Sequence, residues 1–321
     1  MTTATTTTTG RAFGVDLITF FHPQFWGLAD GEELTALAAA EPRRVWDTIL
    51  DALEQAGVSE LEMTFPPADR RTAIAAYGSA EAFAAELASR GLSVVSAYFA
   101  DIEHAEDVTD PATREAILAA AETEAAFLGQ LGASFLVAGL PMRRNNAQGD
   151  GLAPVDLATA APIAEIANEV GAIAARHGVT LALHTESHSV FWTPRDIDLF
   201  LLLTDPFLVA FCPDTGHIVL GGGDPVQLVS RHRERVVIAH WKDAAGAFRE
   251  KALVDEGIWE RHRPYFRAAG QGIVDWPAFA RTLADIGYEG GILLELDVAS
   301  DPVGQLIAAR SYLEDATAGI L

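Results

Sequence analysis

Five times along this chain a stretch with helical apolar spacing stops at a glycine, and an aliphatic run begins. The stops are Gly57, Gly91, Gly132, Gly178 and the neighbourhood of Gly287. Glycine just past a helix end takes left-handed backbone without a Cβ penalty, so it punctuates helix termini. Strands are expected at 13–17, 58–65, 92–99, 135–139, 179–183, 207–211, 236–239 and 291–294. Helices are expected between them, at 43–56, 71–90, 110–131, 154–177, from 193, from 224, and at 275–286, with a last one at 302–316. Strict strand–helix alternation argues for a parallel sheet. Eight such units with no compositional break argue for an α/β fold closed into a (β/α)8 TIM barrel. An open doubly wound sheet is the runner-up, but no Gly-rich turn opens a helix after the first strand. The threonine-rich residues 1–11 are expected to be a disordered tail, and 12–321 a single domain.

Charge and cysteine usage narrow the function. With 22 basic and 45 acidic residues the formal charge is -23. Phosphate backbones and anionic membranes both need the opposite sign, so nucleic acid and membrane surfaces are not expected partners. A divalent cation is compatible with this balance. Cys212 is the one cysteine, so no intrachain disulfide forms, which suits a reducing, cytoplasmic location. No apolar run approaches the ~20 residues that span a bilayer.

Four consecutive core strands end on metal-type ligands. Residues 179–183 run into His184-Thr185-Glu186, and 207–211 into Cys212-Pro213-Asp214-Thr215-Gly216-His217. Residues 236–239 run into His240-Trp241-Lys242-Asp243, and 291–294 into Glu295-Leu296-Asp297. In a TIM barrel the active site lies at the carboxyl ends of the strands. Side chains alternate along a strand, so His184 and Glu186 share a face, as do Cys212 and Asp214. A single polar residue at a strand end is more often solvated or a helix cap. Four in succession favour one shared site for His184, Asp214, His240 and Glu295. Mixed nitrogen and oxygen donors suit Mn, Co, Fe, Mg or Zn. The two carboxylates bring a charge of -2 to meet the ion. The triplet Asp214-Thr215-Gly216 also matches an aspartic protease, but that chemistry needs two triplets on all-β halves.

These motifs, with Gly270-Gln271-Gly272-Ile273-Val274-Asp275-Trp276, resemble the sugar phosphate isomerase/epimerase superfamily of xylose-isomerase-like TIM barrels. The likeness is strongest over 178–298. It implies a metal-dependent isomerase or epimerase acting on a small sugar or keto-polyol through an enediolate. Its alternatives are a dehydratase of the inosose dehydratase type and a barrel without chemistry. Asp214, His240 and Glu295 match three ligand positions of the family. The fourth is usually Glu, and here it is His184, as in members resembling inosose dehydratase, where a Thr also follows nine residues on, as Thr193 does. That departure weakens a symmetric two-Glu epimerase mechanism. An endonuclease-IV-like barrel would need more zinc ligands and a basic face.

The chemistry implied is proton transfer beside a carbonyl. A chelating metal acidifies the carbon between carbonyl and hydroxyl, and a carboxylate removes its proton. Glu186 is the first candidate base and Glu295 the second. His217 could hold a substrate oxygen, and Lys242 could steady the enediolate oxygen. Arg143, Glu62, His22 and Trp26 are candidate substrate contacts near the mouth. Cys212 reads as buried strand filling. The segment 244–271, with Trp259, Tyr265 and Phe266, is longer than an ordinary connection. It is expected to fold over the mouth or to build a subunit interface in a homo-oligomer.

Overall fold

The computed structural model describes residues 11–250, 252–297 and 299–321. Most of the segment expected to be a tail, residues 1–10, lies outside them. Arg11 is described, and its guanidinium donates to the carbonyl of Gly290 at 2.9 Å.

Eight parallel strands form one sheet: β1 (Phe13–Asp16), β2 (Glu60–Met63), β3 (Ser93–Phe99), β4 (Phe135–Ala138), β5 (Thr180–His184), β6 (Val209–Cys212), β7 (His240–Trp241) and, after the two short strands β8 (Asp243–Ala244) and β9 (Phe266–Arg267), β10 (Ile292–Leu294). Their spatial order is β6-β5-β4-β3-β2-β1-β10-β7. Parallel bridges Phe211↔Val236 and Asp214↔His240 join the two ends, so the sheet closes on itself. This is the (β/α)8 barrel that the alternation predicts. Inside it, Val137, Ala182, Ala210, Cys212, Ile238 and Leu293 pack as one buried cluster. A larger apolar layer lies between sheet and helices. Burial pushes the Cys212 thiol up to about 11, in keeping with a structural cysteine.

Three local expectations change. The helix expected over 71–90 is two helices, Arg70–Tyr77 and Ala80–Ser89. Gly78 breaks the run with φ 90°, and the Ser79 hydroxyl caps the second helix by accepting from the Ala82 N–H. A helix at Gly31–Ala40, capped by Asp30, lies in a stretch where no helix is expected from the sequence. Phe207, read as the start of a strand, is 94% exposed in the turn before β6.

The segment 244–271 lies across the barrel mouth. Trp259, Arg263 and Phe266 contribute to the wall of the central cavity, while Tyr265 packs on Phe248 at 5.3 Å. The ends of the segment are tied by Asp243. Its carboxylate accepts from the N–H groups of Gly270 and Val274 and from the indole of Trp276, at 3.0–3.1 Å. Gly272 leaves room for it, since a Cβ there would sit 2.1 Å from Asp243 Oδ1. The two sequence motifs around Lys242 and Gly272 are therefore one structural unit. Midway, His262 stacks on His188 at 4.3 Å, and His188 on Trp192 at 4.1 Å. Among the described residues no helix is long and apolar enough to cross a membrane.

Candidate active site

The four strand-end residues converge. Ligand atoms of His184, Asp214, His240 and Glu295 all lie within 4.8 Å of one another, and all four side chains are buried. β5 ends on His184, and β6 runs through Pro213 to Asp214, whose Oδ1 accepts from the His217 N–H at 2.7 Å. That bond caps the helix Thr215–Leu220 and turns Oδ2 toward the cluster. Oδ2 then lies 3.7 Å from His184 Nε2 and 4.0 Å from His240 Nδ1, with no hydrogen-bond partner. Both ring nitrogens of His184 are likewise unpartnered. Buried polar atoms without partners are costly, and each asks for an explanation. Burial, then the His240 charge, push the His184 imidazole well below its usual range, so it is neutral and its lone pair free.

His240 adds a second argument. Its Nδ1 is 2.6 Å from Glu295 Oε2, a short hydrogen bond when the ring is protonated and a place where a cation held by both atoms would take over from that proton. Its Nε2 faces Glu62 Oε1 at 3.1 Å. Both of these atoms lack a hydrogen-bond partner, and Nδ1 is the ring atom on the side of the cluster, so Glu62 is the carboxylate placed to orient the imidazole. The donor set, its burial and its orphaned atoms therefore fit a divalent cation. Glu62→Gln is expected to weaken that binding ~10–100-fold without unfolding the barrel, as loss of such an orienting carboxylate does. Chelator competition followed by metal analysis checks it. Wild-type affinity in the variant would remove Glu62 from this role.

Beside the cluster lies a chain of close polar contacts. Glu186 Oε2 is 3.8 Å from His184 Nδ1, and its Oε1 is 3.0 Å from His217 Nδ1. His217 Nε2 accepts from Lys242 Nζ at 3.0 Å, and its Nδ1 meets the Ser187 N–H at 3.0 Å and the Ser187 hydroxyl at 2.7 Å. Burial, then Lys242, hold His217 neutral, consistent with accepting from the ammonium. Burial and the charge of Glu103 push the Glu186 carboxyl well above its ordinary range, against the pull of Lys242. A raised carboxyl is a stronger base once ionised. Burial also works against the Glu295 charge, but Lys242 and His240 outweigh it and hold that carboxyl low.

These groups face a cavity of about 350 Å³, the scale of a small ligand. Asp16, Glu103, Glu186, Glu295 and Asp297 line it with His184, His217 and His240. Ile18, Phe65, Trp259 and Phe266 form its apolar wall.

Several residues expected to contact substrate sit elsewhere. Lys242 is 1% exposed and does not line the cavity. Its three N–H bonds go to Glu295 Oε1 at 2.6 Å, Asp297 Oδ1 at 2.8 Å and His217, so none is left for an enediolate oxygen. It positions those groups instead. Glu62 is fully buried under the cluster, bonded to Ser96, and cannot meet a substrate at the mouth. Arg143 is spent on Asp196 and the Ser189 carbonyl. His22 caps the short helix Pro23–Trp26 by accepting from the Gln24 N–H, and the Trp26 indole donates to Phe20 O at 2.7 Å. None of these five lines the cavity. The residues missed were Asp16, Tyr98, Glu103 and Asp297. Asp16 ends β1 as the four ligand residues end theirs, so the same signal was there to be used.

Comparison with known proteins agrees with this architecture. The model of the family described as xylose isomerase-like TIM barrel matches residues 50–316. The chain belongs to this family. The inosose dehydratase of Bacillus licheniformis is 29% identical over 152 residues, covering 46% of this chain and 51% of that protein. The inosose dehydratase of Geobacillus thermodenitrificans is 26% identical over 253 residues, covering 71% of this chain and 78% of that protein. The match thus spans about half the length of the first relative. A crystal structure of the IolI protein with a bound zinc atom superposes with a TM-score of 0.69 at 14% identity, covering 97% and 99% of the two chains. At that identity the likeness is one of fold.

Proposed function

We propose that the protein is a divalent-metal-dependent isomerase or epimerase. Its substrate would be a small sugar or keto-polyol, from which a proton is removed beside the carbonyl. The observation that carries this reading is the buried set His184, Asp214, His240 and Glu295, with orphaned ligand atoms beside Glu186. These four residues would hold the ion, which when bound would act as a Lewis acid on a carbonyl and its neighbouring hydroxyl. The zinc atom bound by the structurally similar IolI protein supports a divalent ion in a barrel of this fold.

The chain's own residues do the rest. Glu186 takes the proton from carbon, and its raised affinity for protons lets it return that proton to the enediolate. His217, locked neutral by Lys242, keeps the Glu186 carboxylate oriented. Phe65, Trp259 and Phe266 keep water from the reacting face. A dehydratase is the second reading, supported by the printed activity of the curated relatives. There the same proton abstraction ends in loss of a neighbouring hydroxyl.

The test combines metal content and isotope exchange. Protein purified without added metal is expected to carry close to one divalent ion per chain. With L-ribulose, D-fructose, hydroxypyruvate and an inosose offered in deuterated water, at least one should gain deuterium on carbon. Isomerised or epimerised product supports the first reading, and loss of a hydroxyl supports the second. A metal-free protein inert to all four probes would sink both.

A further inference from the structure

The mouth of the cavity holds a pair that the scheme above leaves unused. Tyr98, near the end of β3, donates its hydroxyl to Glu103 Oε2 at 2.6 Å, and both line the cavity. The ring of Tyr98 stands edge-on to His184 at 5.6 Å, so the pair is braced against the cluster. Gly139, just after β4, makes room for it: a Cβ there would come within 2.2 Å of the Tyr98 hydroxyl and 2.3 Å of Glu103 Oε2. Any other side chain at 139 would force the pair out of the wall. Among the described residues no side chain or backbone group bonds the other oxygen of Glu103, so that atom is available to a ligand. A carboxyl aligned by a phenol, beside a second carboxyl and a cavity of substrate size, is an arrangement for moving a second proton.

We propose that Glu103, aligned by Tyr98, carries the oxygen proton of the reaction while Glu186 carries the carbon proton. The inference rests on the reading of the site given above. In isomerisation the balance closes without a co-reactant. As Glu186 takes the proton from carbon, the C–H electron pair becomes the C=C bond of an enediolate, and in a following step the former carbonyl oxygen takes the Glu103 proton to give the enediol. The neighbouring hydroxyl then returns a proton to the Glu103 carboxylate as Glu186 gives its proton to the former carbonyl carbon. Both carboxyls end as they began, and nothing is oxidised or reduced. In a dehydration the Glu103 proton would leave with the hydroxyl as water.

Two geometric facts favour Glu103 over its neighbours for this step. Asp297 and Glu295 are committed to Lys242, and His104 is exposed to solvent. Burial pushes the Glu103 carboxyl above its usual range, against the Tyr98 bond and His104, so a proton is held there for delivery.

The division of labour has a signature that a structural role lacks. Glu103→Gln keeps the size of the side chain and an oxygen to accept from Tyr98. In deuterated water, with whichever of the four probes the wild type turns over, this variant should still wash deuterium into the carbon position within ~3-fold of wild type. Net product formation should fall ~100-fold or more, the scale of a lost general acid. Tyr98→Phe keeps the ring against His184 and should shift the same ratio of exchange to product in the same direction by a smaller factor. Product formation unchanged in Glu103→Gln would overturn the inference. So would a parallel loss of exchange and product, which would make Glu103 a structural group or part of the carbon base. Absence of exchange in the wild type on every probe would overturn the underlying reading and this inference with it.

Discussion

Asp214→Asn is expected to leave the barrel folded and empty of metal. The physical reason is that the two carboxylate oxygens have separate tasks. Oδ1 accepts from the His217 N–H at 2.7 Å and caps a helix, and an amide oxygen can keep that bond. Oδ2 points unpartnered into the cluster, and there the amide presents N–H hydrogens with no lone pair. Flipping the amide would set an NH2 group against the His217 N–H, so the cap holds the unfavourable orientation in place. The donor set also drops from a charge of -2 to -1. The expected loss of affinity exceeds ~100-fold, beyond that typical of an outer partner. Isomerase or epimerase activity should disappear with it. Asp214→Ala would lose the cap as well, at a cost of about 1 kcal/mol. Metal analysis and circular dichroism on the two variants separate the contributions. An Asp214→Asn protein that keeps a full complement of ion would show that the four residues are not the binding set.

Glu186→Gln is expected to give the complementary result, with metal retained and proton exchange lost. Glu186 Oε1 rests against the Ser187 N–H at 2.9 Å and against His217, and a glutamine oxygen can occupy the same place. No ligand atom of the cluster is removed. What disappears is the group that binds the carbon proton, and loss of a positioned base costs ~10²–10⁴-fold in rate. Exchange into substrate from deuterated water, with metal content measured on the same sample, reads both halves. If the variant exchanges at the wild-type rate, Glu295 becomes the better candidate for the base. Product formed by the wild type with no exchange at all would favour a hydride shift, and the enediolate route would fall.

How much of this was legible beforehand can be argued residue by residue. The barrel was legible because helix–glycine–strand punctuation is local chemistry. Gly57, Gly91, Gly132, Gly178 and Gly287 all adopt positive φ, as the pattern requires. The meeting of His184, Asp214, His240 and Glu295 was legible for a different reason. A parallel barrel brings every strand's carboxyl end to one face, so residues far apart in sequence but equal in strand position must converge. Asp16 followed the same rule and could have been read from it. The lid was legible from its length and aromatic content, although not the means of its attachment through Asp243.

Depth and pairing were decided only by the tertiary structure. The register between β2 and β3 shifts at Leu61/Glu62, so counting along the strand does not say how far below the mouth Glu62 lies. It lies under His240, where a carboxylate orients the ring. Arg143 looked free in sequence, but its partner Asp196 is 53 residues away and reaches it only through the packing of the β4 and β5 loops. Lys242 has the parity of an active-site residue, yet Glu295, Asp297 and His217 surround its ammonium and use every hydrogen. Burial without partners would be too costly for that charge, so the fold supplies three. Sequence by itself determined which residues stand at the strand ends, because alternation and strand–helix order are short-range properties of the chain. Which of those residues face the cavity, and which are spent on one another, depended on distances of a few ångströms between strands, and only the closed barrel sets those.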